Sequence, residues 1–197
     1  IVAVMGGTTM ARVAAHMSSA VSLKDNWFVP ARGGLGESVD VQASTIASEM
    51  AKRTGARYRM LHVPDHLGEE AYQSIMLEPE VREVVEMIRS ARIVVHGIGD
   101  AMTMARRRKL DARTMEELKR EGALAEAFGY FFDRSGQVVH RMATVGLRLE
   151  DIEAADTVIG VAGGRSKGEA IAAVLRYGHT DILVTDEAAA TDVLGRP

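Results

Sequence analysis

The chain has 197 residues, 47% hydrophobic and 26% charged, enough to bury the full core of an ordinary globular domain. It contains no cysteine, which excludes disulfides, thiolate metal sites and cysteine nucleophiles. Twenty-four basic residues against 27 acidic ones give a net charge of −3, and aromatics make up only 5%. Neither a basic footprint nor a base-stacking surface for nucleic acid is indicated. No apolar run approaches the roughly 20 residues of a membrane helix, so no membrane partner is expected. The opening Ile1–Met5 has no basic segment before it and no initiator Met. A piece of a longer, cytoplasmic protein is the expectation.

Short apolar runs alternate with amphipathic stretches. Ile1–Met5 is expected as a strand, followed by Gly6-Gly7-Thr8-Thr9 and a helix over Met10–Met17. Trp27–Val29 is a second strand, leading through a Gly-rich loop from Pro30 to Gly36 into a helix from Glu37 to Arg53. Tyr58–Val63 is predicted as a strand ended by Pro64, and two short helices follow, split at Pro79. Arg92–His96 is a strand closed by Gly97-Ile98-Gly99. Residues 100–125 break the rhythm with Arg106-Arg107-Arg108-Lys109 and a polar helix over Thr114–Glu121. Phe128–Phe132, the turn Asp133-Arg134-Ser135-Gly136 and Gln137–Arg141 then read as a β-hairpin, and this whole region as an insertion covering one end of a sheet. Thr157–Ala162 is a strand ending in Gly163-Gly164, with a helix from about Ser166 to Arg176, a strand at Asp181–Thr185 and a last helix at Asp186–Leu194. The pattern predicts a single α/β domain over residues 1–197 with a mainly parallel sheet flanked by helices.

Two glycine pairs each follow a strand and precede a helix: Gly6-Gly7-Thr8-Thr9 and Gly163-Gly164-Arg165-Ser166-Lys167. A helix N-terminus offers unpaired N–H groups and a positive dipole end, so it holds an anion readily. Thr8 and Thr9 add hydroxyl donors, and Lys167 a full positive charge. The plainer alternative is that the glycines only turn the chain and a threonine caps the helix. Neither loop reads GxGxxG, and no GxxxxGK[ST] occurs, so a small phosphoester such as a sugar phosphate fits better than a dinucleotide or nucleotide.

Arg32 lies on the Gly-rich turn after the second strand, a placement suited to bidentate phosphate binding. Arg107 and Arg108 reach in from the insertion or form a solvated basic face. If the two sets of cations converge, the ligand carries two phosphates. His62 and His66 are four apart, but Pro64 between them spoils a helical metal pair, and no metal site is expected. The absence of GxSxG removes support for a serine hydrolase. Glu150 with Asp151, and Glu69 with Glu70, read as helix surface, and the 11 methionines as core filler.

Five strings occur in order: Val4-Met5-Gly6-Gly7-Thr8-Thr9, Phe28-Val29-Pro30-Ala31-Arg32-Gly33-Gly34-Leu35-Gly36, His96-Gly97-Ile98-Gly99, Glu126-Ala127-Phe128-Gly129-Tyr130 and Val161-Ala162-Gly163-Gly164. Together they resemble the effector-binding domain of SorC-family bacterial transcription regulators, over essentially the whole chain. The resemblance implies a Rossmann-like sheet shared with sugar-phosphate isomerases and deaminases, and fructose-1,6-bisphosphate as the effector, with no cofactor. It implies that Gly6, Gly7, Thr8, Thr9 and Lys167 cradle one phosphate, that Arg32, Gln42, Arg107 and Arg108 hold the other, and that Glu126 meets the sugar hydroxyls. Gln42 and Glu126 enter by the resemblance alone. Arg165 departs from it, standing where a small residue is expected. The resemblance further implies a homodimer or homotetramer, and operator DNA bound only through a helix-turn-helix domain that these residues do not contain.

The leading expectation is therefore a sensor, in which a phosphosugar shifts the arrangement of subunits and modulates operator binding. An isomerase or deaminase on the same fold is the rival, with Glu126 as base and His96 or Asp100 as partner. A protein-interaction domain with purely structural glycine loops is the third reading.

Overall fold

Apolar, β-branched runs such as Val2–Val4 and the Ile93-Val94-Val95 stretch have no polar face to turn to water, and they find their partners side by side in a parallel sheet. The computed structural model describes residues 1–18, 22–34, 38–64 and 67–195. In chain order its elements begin β1 (Val2–Val4), α1 (Thr8–His16), β2 (Trp27–Pro30), α2 (Ala43–Thr54), β3 (Arg57–Tyr58), α3 (Glu69–Ile75), α4 (Pro79–Arg89) and β4 (Ile93–Gly97). They continue with β5 (Gly99–Asp100), α5 (Ala101–Arg107), α6 (Ala112–Arg120), β6 (Ala125–Ala127), β7 (Tyr130–Phe132) and β8 (Val138–Arg141). The last are α7 (Leu149–Glu153), β9 (Thr157–Val161), α8 (Gly168–Tyr177), β10 (Ile182–Val184) and α9 (Glu187–Leu194). The fold is mixed α/β. Six strands form one sheet in the order β10-β9-β4-β1-β2-β3. β1 runs parallel to both β2 and β4, β2 to β3, and β9 to β10.

The chain groups into two compact units, residues 1–96 with 143–158 and residues 97–142 with 159–197. In the first, Val4, Phe28, Val29, Ile46, Val85 and Ile88 are all buried, each such side chain contributing about 1.5–3 kcal/mol. Pro79, whose missing N–H costs nothing in a first turn, starts α4. The second unit adds an antiparallel sheet, β5-β6-β7-β8. Ala101, Ala105, Leu118, Ala123 and Phe131 form a hydrophobic cluster there, flanked by Met102, Met115 and Met142, so these methionines are core filler as expected. Asp100, Asp111 and Asp186 cap α5, α6 and α9 by accepting from Thr103, Thr114 and Ala189 N–H.

Three expectations need correction. The strand over Tyr58–Val63 reduces to Arg57–Tyr58. Beyond it, the Ser44 hydroxyl contacts both the N–H and the carbonyl of Leu61, and Gly34 N–H donates to the Val63 carbonyl, so no ladder continues. The long helix over Glu37–Arg53 starts only at Ala43, after a 3₁₀ turn at Val39–Val41 and an extended Gln42. The expected hairpin strand at Phe128–Phe132 begins at Tyr130, because Phe128 and Gly129 both take positive φ and turn the chain out of β6. Leu35 and Gly36 of the Gly-rich loop, Glu37 at the expected helix start, and His66 lie outside the described residues.

Candidate functional site

Within the first unit, β1 delivers the chain to Gly6 and Gly7, and α1 starts at Thr8. No side chain caps α1, and its first turn holds no acidic residue. Its positive dipole end is open to an anion, and Thr8 and Thr9 are both exposed there. Gly7 N–H donates to the Val41 carbonyl at 2.8 Å. A Cβ on Gly6 would sit 2.8 Å from that same oxygen, so only glycine admits the close approach of the 39–43 segment.

That segment joins two of the predicted positions. Its Gln42 side-chain amide lies 3.9 Å from where a Cβ on Gly34 would be, against the turn that carries Arg32. Arg32 itself is 3% exposed. Burying a guanidinium is costly unless it is hydrogen-bonded or paired, so this arginine is built into the turn rather than left on a solvated face. The first unit thus brings the Gly6–Thr9 loop, Gln42 and the Arg32 turn into one neighbourhood.

Within the second unit, Ile98-Gly99 links the remaining residues. Lys167 Nζ donates to the Ile98 carbonyl at 3.2 Å, and the next residue, Gly99, pairs across β5–β6 with Glu126. Glu126 Oε1 accepts from Arg108 Nη2 at 2.9 Å and from Gly129 N–H at 2.8 Å. The two charged side chains are 4% and 6% exposed. Arg107, one residue earlier at the end of α5, is half-buried. Arg108 is therefore no solvated basic face. Its partner is the carboxylate for which the resemblance implies contact with the sugar hydroxyls, a pairing that neither motif nor spacing indicated.

The second glycine loop differs from the first in a way the sequence did not show. Gly164 N–H donates to the Asp186 carboxylate, which also caps α9. The N–H groups of Ala189 and Gly164 hold that carboxyl below its ordinary pKa. Residues 165–167 form a 3₁₀ turn, with Arg165 exposed. The sequence predicts Asp186 inside the last helix, whereas an Asp immediately before a helical run is the ordinary signal of a cap. Its reach to Gly164, 22 residues away, carries no such signal.

The residues invoked for acid–base chemistry are engaged elsewhere. Asp100 Oδ1 caps α5 at 2.8 Å from Thr103 N–H, and His96 is fully buried. No group of three or more His, Asp or Glu side chains that could hold a metal occurs among the described residues, and the His66 of the weighed pair lies outside them. No helix among the described residues is long and apolar enough to cross a membrane.

Comparison with known proteins agrees with this architecture. The family described as "Putative sugar-binding domain" matches residues 1–195. The chain is 51% identical over 193 residues to the central glycolytic genes regulator of Priestia megaterium, covering 98% of this chain and 56% of that protein. It is 48% identical to the regulator of the same name from Bacillus subtilis, covering 98% and 57%. The chain thus spans little more than half the length of these relatives. Among solved structures, the "putative SorC family transcriptional regulator" from Enterococcus faecalis superposes with a TM-score of 0.91 at 48% identity, covering 98% of this chain and 79% of that one.

Proposed function

This chain belongs to the sugar-binding domain family of SorC-type transcription regulators, and on that premise we infer that it senses a phosphosugar for a bacterial regulator of central glycolytic genes. The ligand in this reading is fructose-1,6-bisphosphate. Gly6, Gly7, Thr8, Thr9 and Lys167 hold one phosphate, Arg32, Gln42, Arg107 and Arg108 the other, and Glu126 the sugar hydroxyls. The observation that carries the reading lies in the first unit. An uncapped, acid-free helix N-terminus and a buried arginine turn are joined there by the segment that holds Gln42. Two anion-receptive positions so placed suit a ligand with two phosphates.

The effector acts by binding two arrangements of a homo-oligomer with different affinity, since a ligand indifferent to the two shifts nothing. A coupling of about 1–3 kcal/mol is the usual scale. Operator DNA is contacted by a separate domain, in keeping with a net charge of −3 on this chain. Recognition without turnover is favoured over isomerase or deaminase chemistry, because Asp100, a partner weighed for Glu126 in an acid–base pair, is spent on a helix cap.

Selective substitution tests this assignment. Arg32→Ala should weaken fructose-1,6-bisphosphate far more than fructose-6-phosphate in calorimetric titration. Thr9→Ala should weaken both to a similar degree. Equal losses for the two ligands with Arg32→Ala would refute the assignment of Arg32 to a second phosphate.

A further inference from the structure

We propose that Arg89, on α4, is a positioning residue for Arg32, acting through the backbone of Val145–Leu147; its ligand-binding consequence rests on the function proposed above. Arg32 is nearly fully buried, and its turn is gripped by backbone on two sides. On one side Gly34 N–H donates to the Val63 carbonyl, and a Cβ on Gly33 would lie 2.7 Å from the Val63 and Pro64 oxygens. On the other side Gly33 N–H donates to the Val145 carbonyl at 2.9 Å, Leu147 N–H donates to the Ala31 carbonyl at 2.8 Å, and Arg32 pairs antiparallel with Gly146.

The second grip is unusually close. A Cβ on Gly146 would stand 2.3 Å from the Ala31 oxygen and 2.6 Å from Arg32 Cα. Gly146 has no side chain with which to anchor itself. Its carbonyl instead accepts from Arg89 Nε at 3.3 Å. Arg89 is in turn fixed by Tyr72 on α3, whose hydroxyl accepts from Nη2 at 3.1 Å, and by Asp151 on α7 at 3.9 Å. Asp151 also accepts from Arg148 N–H at 2.8 Å, pinning the residue just beyond Leu147. Burial pushes the Tyr72 phenol up, but hydrogen bonds from Arg148 and Arg89 outweigh it and leave its pKa below the ordinary value. The phenol oxygen serves as acceptor between two guanidiniums.

One path therefore runs from Tyr72 through Arg89 to Gly146 by hydrogen bonds, and from the 145–147 segment to the turn of Arg32 by the backbone bonds on either side of the Gly146–Arg32 pair. The aim of the Arg32 side chain depends on its backbone, which depends on the 145–147 segment, which Arg89 ties to α3 and α4. Misplacing a binding group by about an ångström is enough to cost binding strongly.

The test uses Arg89→Met, which keeps much of the apolar stem and removes every donor, beside Arg89→Lys, which keeps a charge and a donor. Arg89→Met should weaken fructose-1,6-bisphosphate about tenfold and fructose-6-phosphate much less, with Arg89→Lys in between. In an Arg32→Ala background the Arg89→Met effect should vanish, because its route to the ligand has been removed. Hydrogen exchange at the Gly33 and Leu147 amides should accelerate in Arg89→Met, while Met5, bonded to the Val95 carbonyl in the sheet, stays protected. Additive losses in the double variant, or unchanged exchange at Gly33 and Leu147, would overturn the proposal. If the wild-type chain binds neither sugar, the ligand assignment fails. The exchange result then decides the positioning role by itself.

Discussion

The two glycine loops look alike in sequence and are built differently. Each follows a parallel strand and precedes helical backbone, yet the loop at Gly6-Gly7 leads into a helix with no cap and no acid in its first turn. The loop at Gly163-Gly164 carries the Asp186 carboxylate on its amide and places its positive charge on Lys167 instead. The lesson is that a Gly-Gly turn before a helix is an opening, and the neighbours decide what fills it. In the first loop backbone dipoles and hydroxyls are left for an anion. In the second a carboxylate of the same chain takes an N–H, and the Lys167 ammonium donates to the Ile98 carbonyl.

The largest test of this contrast is Lys167→Met. It should weaken every phosphosugar by about 2 kcal/mol, roughly thirtyfold, as befits loss of a charge-assisted contact. An equally large loss from a substitution at Arg165, with Lys167→Met harmless, would move the charge of the second loop to the wrong residue. Next in size is a pair of stability measurements. Gly6→Ala should cost about 1–3 kcal/mol in urea unfolding, because its Cβ meets the backbone oxygen of Val41 and the nitrogen of Ala43. Gly163→Ala should cost less, since its Cβ meets the exposed Asp186 side chain rather than backbone, and the cost is the disturbance of that carboxylate's bonds to Gly164 and Ala189 N–H.

The smallest effect is a pH dependence. The Asp186 carboxyl is held below its ordinary pKa in the folded chain. Its contribution to stability is therefore present above the unfolded value of about 4 and lost as pH falls through the lower folded value. Asp186→Asn should lower the unfolding midpoint slightly at neutral pH, where the charged carboxylate contributes, and converge on wild type in acid, so that the acid limb is flatter. An acid limb identical to wild type would detach this carboxylate from the second loop.

Much of the fold was legible because the signals were local. Apolar runs at β1, β2, β4, β9 and β10 stand out without reference to anything distant, and so do the strings around Arg32 and Lys167. What stayed hidden depends on partners far apart in the chain. The run after Tyr58 has strand-like composition, yet the Ser44 hydroxyl and the Arg32 turn take up its backbone groups. β6, three residues of small and charged side chain, carries no periodicity to read. The Arg108–Glu126 pair spans 18 residues and the Asp186–Gly164 bond 22, separations over which no spacing rule operates. Arg89, an ordinary helix arginine by sequence, gains its place only once Gly146 is seen against Arg32.

The central claim is that this chain binds a sugar bisphosphate without transforming it. The direct measurement is calorimetric titration of the chain with fructose-1,6-bisphosphate beside fructose-6-phosphate, glucose-6-phosphate and dihydroxyacetone phosphate at fixed salt, with the mixture then assayed for product. The account predicts selective bisphosphate binding near the micromolar range, about −8 kcal/mol, and unchanged sugar. Tighter binding of a monophosphate, turnover of any of the four, or no binding at all would contradict it.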